Sequence, residues 1–460
     1  MMMNLKQLKY IIPVVAAALL TSCNIYKKYE LPENNAIVND YARAAQATDS
    51  TTLAHLDWQQ VFTDPQLQSL INRALEANTN LENARQNVVM AQAQLKGAKL
   101  SYLPSLSFNP NGGTASYGGS HMNWSYTLPL AAQWEIDVFG KILNNKRKAQ
   151  VDMEQAQDYQ HAVRSQIICG VANTYYALVW LNEQLVLTRN TAEIWKEQCE
   201  TMQLMKEAGR VNESAVVQSR ANYYSIMANI PDLEKSIAQM HNTMSLLLNT
   251  YPQTWPVSSS LDFELPDATQ SDIPLYYLAV RPDVRAAERG LASAYYATNI
   301  ARTNFYPSLA ISAQGGFTNL LGSLITNPGK WFIQLAGQLT APLFSRGRNI
   351  AQLEAAKAQQ EVALNNFEYA VLAAAADVSD AMVSINKADE KSLYLQQQVE
   401  QLEKSVEYTE ELMNFGQSTT YLEILTARSS LLSAQLACLA NKHDKASALI
   451  SLYQAVGGGY

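Results

Sequence analysis

Apolar residues recur at alternating intervals of three and four along two stretches of the first half of the chain, the pattern of one face of an α-helix. These stretches, residues 79–103 and 141–208, contain no proline. A helix over 141–208 would be about 100 Å long, would end at Gly209 and would precede a second helix over 212–248. The repeating positions are Leu81, Ala84, Val88, Ala91 and Leu95, then Val163, Ile167, Gly170, Thr174, Ala177 and Leu181.

The same pattern returns in the second half of the chain. It predicts helices over 283–305 and 349–414, an end to the second of these at Gly416, and a further helix over 420–452. Small and polar residues dilute the apolar seams, whereas a solid bundle or simple coiled coil favours a strongly apolar seam. Such mixed seams favour a curved layer of helices that faces water on one side. The surface of an ordinary helical bundle is the alternative.

Between the helices, the hydrophobic period changes to two, which is the period of a β-strand. From Trp124 to Val138 every even position is apolar and most odd positions are polar. Residues 308–317 and 331–343 alternate in the same way, and Leu106 and Phe108 fit a weaker first strand. Strands of this length, edged by tryptophan, are typical of membrane β-structure. A soluble sheet with one wet face is the alternative. Glu135 and Asp137 are expected on the water-facing side.

Four such strands cannot close a barrel, because single-chain barrels begin at eight strands and open edges are not tolerated in lipid. Several copies of the chain would therefore share one barrel. Four strands per copy allow totals of 8, 12 or 16, and the sequence pattern does not choose among them.

The two halves also match each other in order and spacing. Ala84 to Pro104 has the same length as Ala287 to Pro307, at an offset of 203 residues. Gly209 corresponds to Gly416 at an offset of 207. A period this long indicates one internal duplication rather than a repeat array.

The N-terminus has the layout of an export signal. Lys6 and Lys9 precede an apolar run from Ile11 to Leu20, too short to span a bilayer. Leu20-Thr21-Ser22-Cys23 resembles a bacterial lipobox, which implies cleavage before Cys23 and acylation of its thiol. An ordinary signal followed by a chance cysteine is the alternative. Two acyl chains would hold the mature chain stably on a membrane.

Composition and motifs exclude several functional classes. The formal charge of −7 argues against a nucleic-acid partner. The chain has neither a metalloprotease H-E-x-x-H motif nor a G-x-S-x-G elbow, so we expect no enzyme activity, metal or cofactor. Three further cysteines lie in helical patterns and are expected to be small buried thiols rather than a disulfide framework.

Several short motifs, taken in order, resemble the TolC-like outer-membrane factors, specifically the lipoprotein branch of the multidrug-efflux channels. The resemblance covers almost the whole mature chain. Its motifs are Phe62-Thr63-Asp64-Pro65, Trp134-Glu135-Ile136-Asp137-Val138-Phe139-Gly140, Arg281-Pro282-Asp283-Val284, Phe305-Tyr306-Pro307-Ser308-Leu309, Pro342-Leu343-Phe344 with Gly347-Arg348, and Leu452-Tyr453-Gln454-Ala455-Val456-Gly457-Gly458-Gly459.

The resemblance implies a mixed α and membrane β fold. Three copies would form a 12-stranded β-barrel in the bacterial outer membrane, continued by a long periplasmic α-helical barrel. This trimer would be a lipid-anchored, passive exit duct for small toxins or drugs. Its partners would be outer-membrane lipid, a periplasmic adaptor and an inner-membrane pump of the RND type. A protein-secretion duct of the same family and a pore-free periplasmic scaffold lipoprotein are the alternatives.

The resemblance also implies functional positions at the two helical hairpin ends. The tips facing the adaptor or pump would be Gly209 and Arg210 in the first hairpin, and Gly416 and Gln417 in the second. The stretch after the second tip would line the periplasmic aperture, with the aperture positions Glu423, Thr426 and Arg428. Glu423 matches one acidic position of the relatives, whereas Thr426 stands where they carry an aspartate.

These expectations divide the chain as follows: signal 1–22; anchored and equatorial segment 23–78; helix 79–103; two membrane strands 104–138; hairpin 139–250; equatorial connection 251–281; helix 282–306; two strands 307–344; hairpin 345–452; and tail 453–460.

Overall fold

The computed structural model describes residues 26–32, 36–46, 57–116, 118–119, 123–261, 263, 277–318, 330–414 and 421–459. The signal 1–22, the lipid-attachment candidate Cys23 and the tip candidates Gly416 and Gln417 lie outside the described residues. The chain divides into two compact units. The first comprises the described residues within Met1–Glu33, Gln86–Gln157 and Ala286–Tyr369, and the second comprises those within Asn34–Arg85, Asp158–Arg285 and Ala370–Tyr460.

Helices make up most of the described chain. The helices are α1 Ala36–Gln46, α2 Trp58–Val61, α3 Pro65–Ala77, α4 Thr79–Leu100, α5 Lys141–Glu207, α6 Glu213–Leu247, α7 Tyr277–Val280, α8 Pro282–Thr303, α9 Arg348–Asn414 and α10 Tyr421–Ala455. Helices α5 and α9 each have 67 residues, and α6 and α10 each have 35. The positions predicted to repeat along α4, from Leu81 to Leu95, are buried.

One antiparallel sheet lies in the first unit. Its strands are β1 Ser105–Phe108, β2 Asn111–Ala115, β3 Asn123–Ile136, β4 Ser308–Thr318 and β5 Lys330–Thr340. The order is β1-β3-β4-β5, and β2 pairs with β3 beyond β1. Strands β1 and β2 together occupy one edge position, so the sheet is four strands wide.

The first edge position is interrupted at Asn109 and Pro110. Leu106 to Phe108 pairs with Leu130 to Ala132, whereas Asn111 onwards pairs with Thr127 and the residues before it. Proline has no backbone N–H and cannot donate to the ladder, so Pro110 falls at the break between β1 and β2. The weak alternation after Leu106 reflects this interruption.

Strand β3 leaves no room for a side chain at Gly316 of β4. This residue lies opposite Pro129, and a Cβ atom added to it would overlap the backbone carbonyl oxygen of Leu128. Only a residue without a side chain fits here without shifting the backbone. At Gly337 in β5, by contrast, an added Cβ would meet no atom within 4 Å.

A buried core in the second unit joins α2 and α3 to the middle of α5 and the C-terminal end of α10. Phe62 is fully buried, and its ring lies 5.6 Å from Phe263 and 5.7 Å from Tyr453, measured between centroids. Helix α5 is buried on more than its predicted seam, because Ile168, Val171 and other residues outside that seam also enter this core.

Asp64 links three distant segments of that core. One carboxylate oxygen caps α3 by accepting from the N–H groups of Gln66 and Leu67. The other accepts from Tyr175 Oη at 2.7 Å and Ser258 Oγ at 2.6 Å. Burial alone would raise the pKa of Asp64, but the four hydrogen bonds outweigh it and hold this pKa below its ordinary value.

Arg281 makes a second tie of this kind. Its guanidinium contacts Asp283 at 2.7 Å and Asp377 of α9 at 2.9 Å, and it donates to the carbonyl oxygen of Ala455 at 3.1 Å. The side chain is buried, and the carboxylates of Asp283 and Asp377 compensate its charge, which offsets the cost of desolvating it. The R-P-D sequence at the start of α8 is therefore a structural junction.

We expect Gly316→Val to disrupt the pairing of β3 with β4, because the new side chain has to displace the Leu128 carbonyl group. Overpacking of this kind costs about 1–3 kcal/mol. Limited proteolysis followed by mass spectrometry should show new cleavage within 123–136 and 308–318. Gly337→Ala is the matched control and should be cleaved like the wild type; equal resistance in both variants would contradict the expectation.

We expect Asp64→Asn to lower the free energy of unfolding at pH 7 by about 1–3 kcal/mol, through the weakened cap and the lost charge-assisted hydrogen bonds. Because the folded-state pKa of Asp64 is lowered, its contribution is complete above the unfolded-state pKa and is lost as pH falls through the folded-state value. Urea denaturation at pH 7 and in acid should therefore show the difference between variant and wild type shrinking in acid. Asp232→Asn, at an exposed site, is the control and should change little at either pH.

Candidate membrane sheet and hairpin ends

One face of the sheet is apolar and exposed. Leu128 lies opposite Phe317, which in turn lies opposite Trp331, so large apolar side chains form rows across the strands. Trp124 is 66% exposed and Trp331 is 71% exposed. A contiguous apolar surface of this kind marks a site of contact with a membrane or another protein. The exposed large side chains of this face are Leu106, Phe108, Trp124, Leu128, Leu130, Trp134, Ile311, Phe317, Trp331, Ile333, Leu335 and Leu339.

The opposite face of the same strands is polar. Gln314 Nε2 donates to Gln334 Oε1 at 2.6 Å across β4 and β5. Glu135 lies 3.6 Å from Lys141, at the start of α5. Because successive side chains of a strand point to opposite faces, the alternation in sequence becomes a division between an apolar and a polar surface.

Asp137 has a role that sequence reasoning missed. Its carboxylate accepts from the backbone N–H groups of Ile142 at 3.0 Å and Leu143 at 2.7 Å. It therefore caps the first turn of α5 and fixes the passage from β3 into the long helix. The available sequence signal was an aspartate, Asp137, four residues before the proline-free stretch that begins at Lys141.

The end of the first hairpin is a tight, exposed turn. Gly209 has φ +71°, a left-handed conformation that glycine adopts without strain. Arg210 donates its N–H to the carbonyl of Met205 at 2.8 Å. Lys206 and Glu213 form an ion pair between the ends of α5 and α6. The structure thus places both predicted tip residues, Gly209 and Arg210, at an exposed helix reversal.

The three aperture candidates lie in the first turns of α10. Glu423 and Thr426 are exposed, and the hydroxyl of Thr426 donates to the carbonyl of Leu422 at 2.8 Å. Arg428 instead points to α9, where Nε and Nη2 donate to Glu410 Oε1 at 2.9 and 2.5 Å. The single chain therefore separates Arg428 from the two exposed candidates.

Buried residues next to these candidates fasten α10 to the first hairpin. Leu425 is buried together with Trp195 of α5 and Ile226 of α6. Trp195 was not singled out from the sequence, because its partners come from two other helices. This cluster buries one face of α10, and Glu423 and Thr426, which lie outside that face, stay exposed.

No helix in the described part of the chain carries an apolar stretch long enough to cross a bilayer. A sequence profile of the outer membrane efflux protein family matches residues 70–250 and 276–458. The chain belongs to this family. The two matched segments include the sheet, both hairpins and most of the buried core.

Individual relatives extend over the same length. The chain is 26% identical to the cation efflux system protein CusC of Escherichia coli O157:H7, with 98% of each chain covered. It is 28% identical to the probable outer membrane lipoprotein SilC of Salmonella typhimurium, with 88% of each covered. The solved structure of the outer-membrane channel OprN superposes with a TM-score of 0.84 at 24% identity, covering 95% of this chain and 99% of that one. The fold is therefore that of the outer-membrane efflux channels, and the protein is an outer-membrane efflux duct.

We expect Arg428→Gln to loosen the start of α10, because the variant loses the ion pair with Glu410. A partly exposed pair contributes about 0.2–1 kcal/mol, so amide hydrogen exchange within 421–432 should accelerate by up to about fivefold. The comparison is hydrogen–deuterium exchange with mass spectrometry on the full chain.

Lys404→Gln is the matched control for this measurement. Its partner, Glu400, lies on the same helix at 2.7 Å, so exchange in α10 should remain at the wild-type rate. Unchanged exchange in Arg428→Gln would show that Glu410 does not hold α10.

Proposed function

We propose that three copies of this internally duplicated chain form a passive outer-membrane duct for small toxic molecules. Each copy contributes four strands to a shared 12-stranded barrel, which continues into the periplasm as an α-helical barrel. The duct needs no catalytic residue, because a partner pump supplies the energy. The two-faced sheet with open edges is the observation that carries this proposal.

The edges of the sheet require partners if the apolar face lies in lipid. Among the described strands, β5 pairs only with β4, and β1 and β2 pair only with β3. An unsatisfied backbone group in the hydrocarbon core costs several kcal/mol, so β5 of one copy must pair with β1 and β2 of the next. The polar face, with Gln314 and Gln334, then lines water. The resemblance to the TolC-like factors favours 12 strands over 8 or 16.

A lipid anchor at Cys23 fits the path of the chain that follows it. The carbonyl of Tyr26 accepts from Arg147, and the ring of Tyr29 packs 5.8 Å from that of Tyr295. These contacts fasten residues 26–29 to the unit that carries the sheet. Cys23 lies three residues before Tyr26, within about 11 Å of chain. The acyl chains on Cys23 would therefore enter the lipid layer that surrounds the sheet. The name of the relative SilC designates a lipoprotein.

The hairpin ends are assigned to the partners. Gly209, Arg210, Gly416 and Gln417 face a periplasmic adaptor and an inner-membrane pump, which we take to be of the RND type. Three copies of Glu423 around one axis would repel each other and favour opening or capture of cations. Thr426 adds no charge there, and Arg428 is held by Glu410, so the ring is less acidic than in relatives that carry an aspartate.

Small solutes are the favoured cargo. The relative CusC is named for a cation efflux system, and its match extends over 98% of both chains. This favours a duct for small molecules over a polypeptide-secretion duct.

Cysteine cross-linking tests the shared sheet. Ser107 in β1 and Gln334, Ala336 and Gln338 in β5 lie on or next to the two open edges. Pairing Ser107→Cys with a cysteine at one of the three β5 positions scans the register between copies. We expect one register to give disulfide-linked species of two and three chains and none larger, together with stepwise ion conductance in planar bilayers without any energy source.

Single-cysteine variants are the controls and should give no linked trimer. A pore-free scaffold would show no cross-linking in any register and no conductance. Release of a folded monomer into detergent-free buffer by Cys23→Ala would also refute the shared barrel.

A further inference from the structure

A cavity of about 910 Å³ lies within the second unit, between α5, α6, α9, α10 and the segment that follows α6. This volume falls in the range of sites for drug-sized ligands. The described lining residues include none of the tip or aperture candidates and none of the strand residues, so neither the aperture nor the barrel accounts for the cavity.

The charges on the cavity wall have one sign. Glu183, Glu400 and Glu403 line it, and none of the described lining residues is lysine or arginine. Glu400 is paired with Lys404 at 2.7 Å. His241 adds no positive charge at neutral pH, because burial lowers its pKa and its Nδ1 already accepts the N–H of Trp255 at 3.2 Å.

Glu183 is the deepest of these carboxylates and is only half satisfied. Its Oε1 accepts the N–H of Leu261 at 3.0 Å. Its Oε2 is shielded from solvent and has no hydrogen-bond donor among the described groups. A buried charged oxygen without a partner is costly, so a positive charge in the cavity would be stabilised by the field of Glu183 without contacting Oε2 itself.

The remaining wall combines aliphatic side chains with neutral polar ones such as Asn190, Ser259 and Gln396. Val186, Leu187, Val257, Val399 and Leu439 contribute aliphatic surface. The lining residue Trp255 is fixed by three contacts: its backbone N–H to His241, its Nε1 to Ser245 Oγ at 2.9 Å, and Arg73 at 5.0 Å from the ring centroid. A preformed wall of this kind reduces the entropy cost of binding.

We infer that this cavity binds a lipophilic organic monocation, with its charge against Glu183 and its apolar groups against the aliphatic wall and Trp255. A hydrated metal ion would gain nothing from the aliphatic surface, and an anion would be repelled by Glu183 and Glu403, since Lys404 compensates the charge of Glu400. The site lies in the helical part of the chain, and its occupancy does not depend on transport of the same compound.

Tetraphenylphosphonium and tetraphenylborate test the inference, because they have nearly the same shape and opposite charges. Both are titrated onto the full-length protein in phosphatidylcholine nanodiscs, and empty nanodiscs give the partitioning background. We expect saturable uptake of the cation at one site per chain, and uptake of the anion no greater than the background. Saturable uptake of both ions, or of neither, would overturn the inference.

Two substitutions and one control locate the binding. Glu183→Gln should weaken cation binding by about tenfold, the scale of one partly buried charge contact. Val399→Trp should also weaken it, because the larger side chain would occupy part of the cavity wall. Glu200→Gln, on an exposed position of the same helix outside the cavity, should bind like the wild type. Binding that is unchanged in both Glu183→Gln and Val399→Trp would place the cation elsewhere.

The natural cysteines give a readout that needs no substitution. Cys438 lines the cavity, whereas Cys199 lies outside it beside Ser219. Tetraphenylphosphonium should slow maleimide labelling of the Cys438 peptide and leave labelling of the Cys199 peptide unchanged. Equal labelling of Cys438 with and without the cation would refute occupancy of this cavity. Loss of binding with intact conductance would refute the site alone, whereas binding without conductance would refute the duct alone.

Discussion

Backbone hydrogen bonding at the two edges of the sheet is the constraint on which the rest of the architecture depends. Each chain supplies ladders from β3 to β4 and from β4 to β5, but the outer sides of β1, β2 and β5 have no described strand beside them. The exposed row of Leu128, Phe317 and Trp331 favours an apolar medium, and that medium contains no water to satisfy the edges. Sharing the sheet among copies meets both demands, whereas burying it inside one copy would leave the polar face of Gln314 and Gln334 in an apolar core.

The helical part meets a different demand, which is to hold long helices together without a broad apolar core along their length. Its core is concentrated around the middle of α5, where Asp64 joins residues near 64, 175 and 258, and Arg281 joins residues near 281, 377 and 455. These hydrogen-bonded charges have fixed directions, so they specify which helices meet, while the apolar residues around Phe62 supply most of the burial free energy. Away from this core, α9 and α10 are joined by specific polar contacts such as Lys445 to Asp389 and Asn441 to the carbonyl of Ala388.

The sequence was most informative where one local period runs without interruption. The alternation from Trp124 predicted a strand that the structure places at 123–136, and the proline-free stretch before Gly209 predicted a helix that ends at Glu207. The break at Asn109 and Pro110 was not predicted, although that dipeptide favours a turn over a ladder. The pairing of Arg428 with Glu410 and the cluster around Trp195 were not predicted either, because they depend on the register and rotation of helices that meet only after folding. The predicted tip and aperture residues rest on the family resemblance, and local patterns alone would not have selected Glu423.

The cavity arises where these two kinds of helix packing meet. Between Val163 and Leu181, α5 is buried on several faces by the central core, whereas beyond Leu185 its buried positions narrow to a single seam that includes Trp195. The part of α5 before Leu181 is surrounded by several segments, whereas the part beyond Leu185 is covered along one seam only. The helices beside α5 must therefore change their packing between these two parts. Glu183 lies at this change of packing, where the segment after α6 reaches α5 through the N–H of Leu261. A cavity at such a position is lined both by aliphatic side chains at the edge of the core and by carboxylates of the more exposed helices. This combination is the chemistry of a site for a lipophilic cation, and it follows from the transition in packing rather than from any local sequence motif.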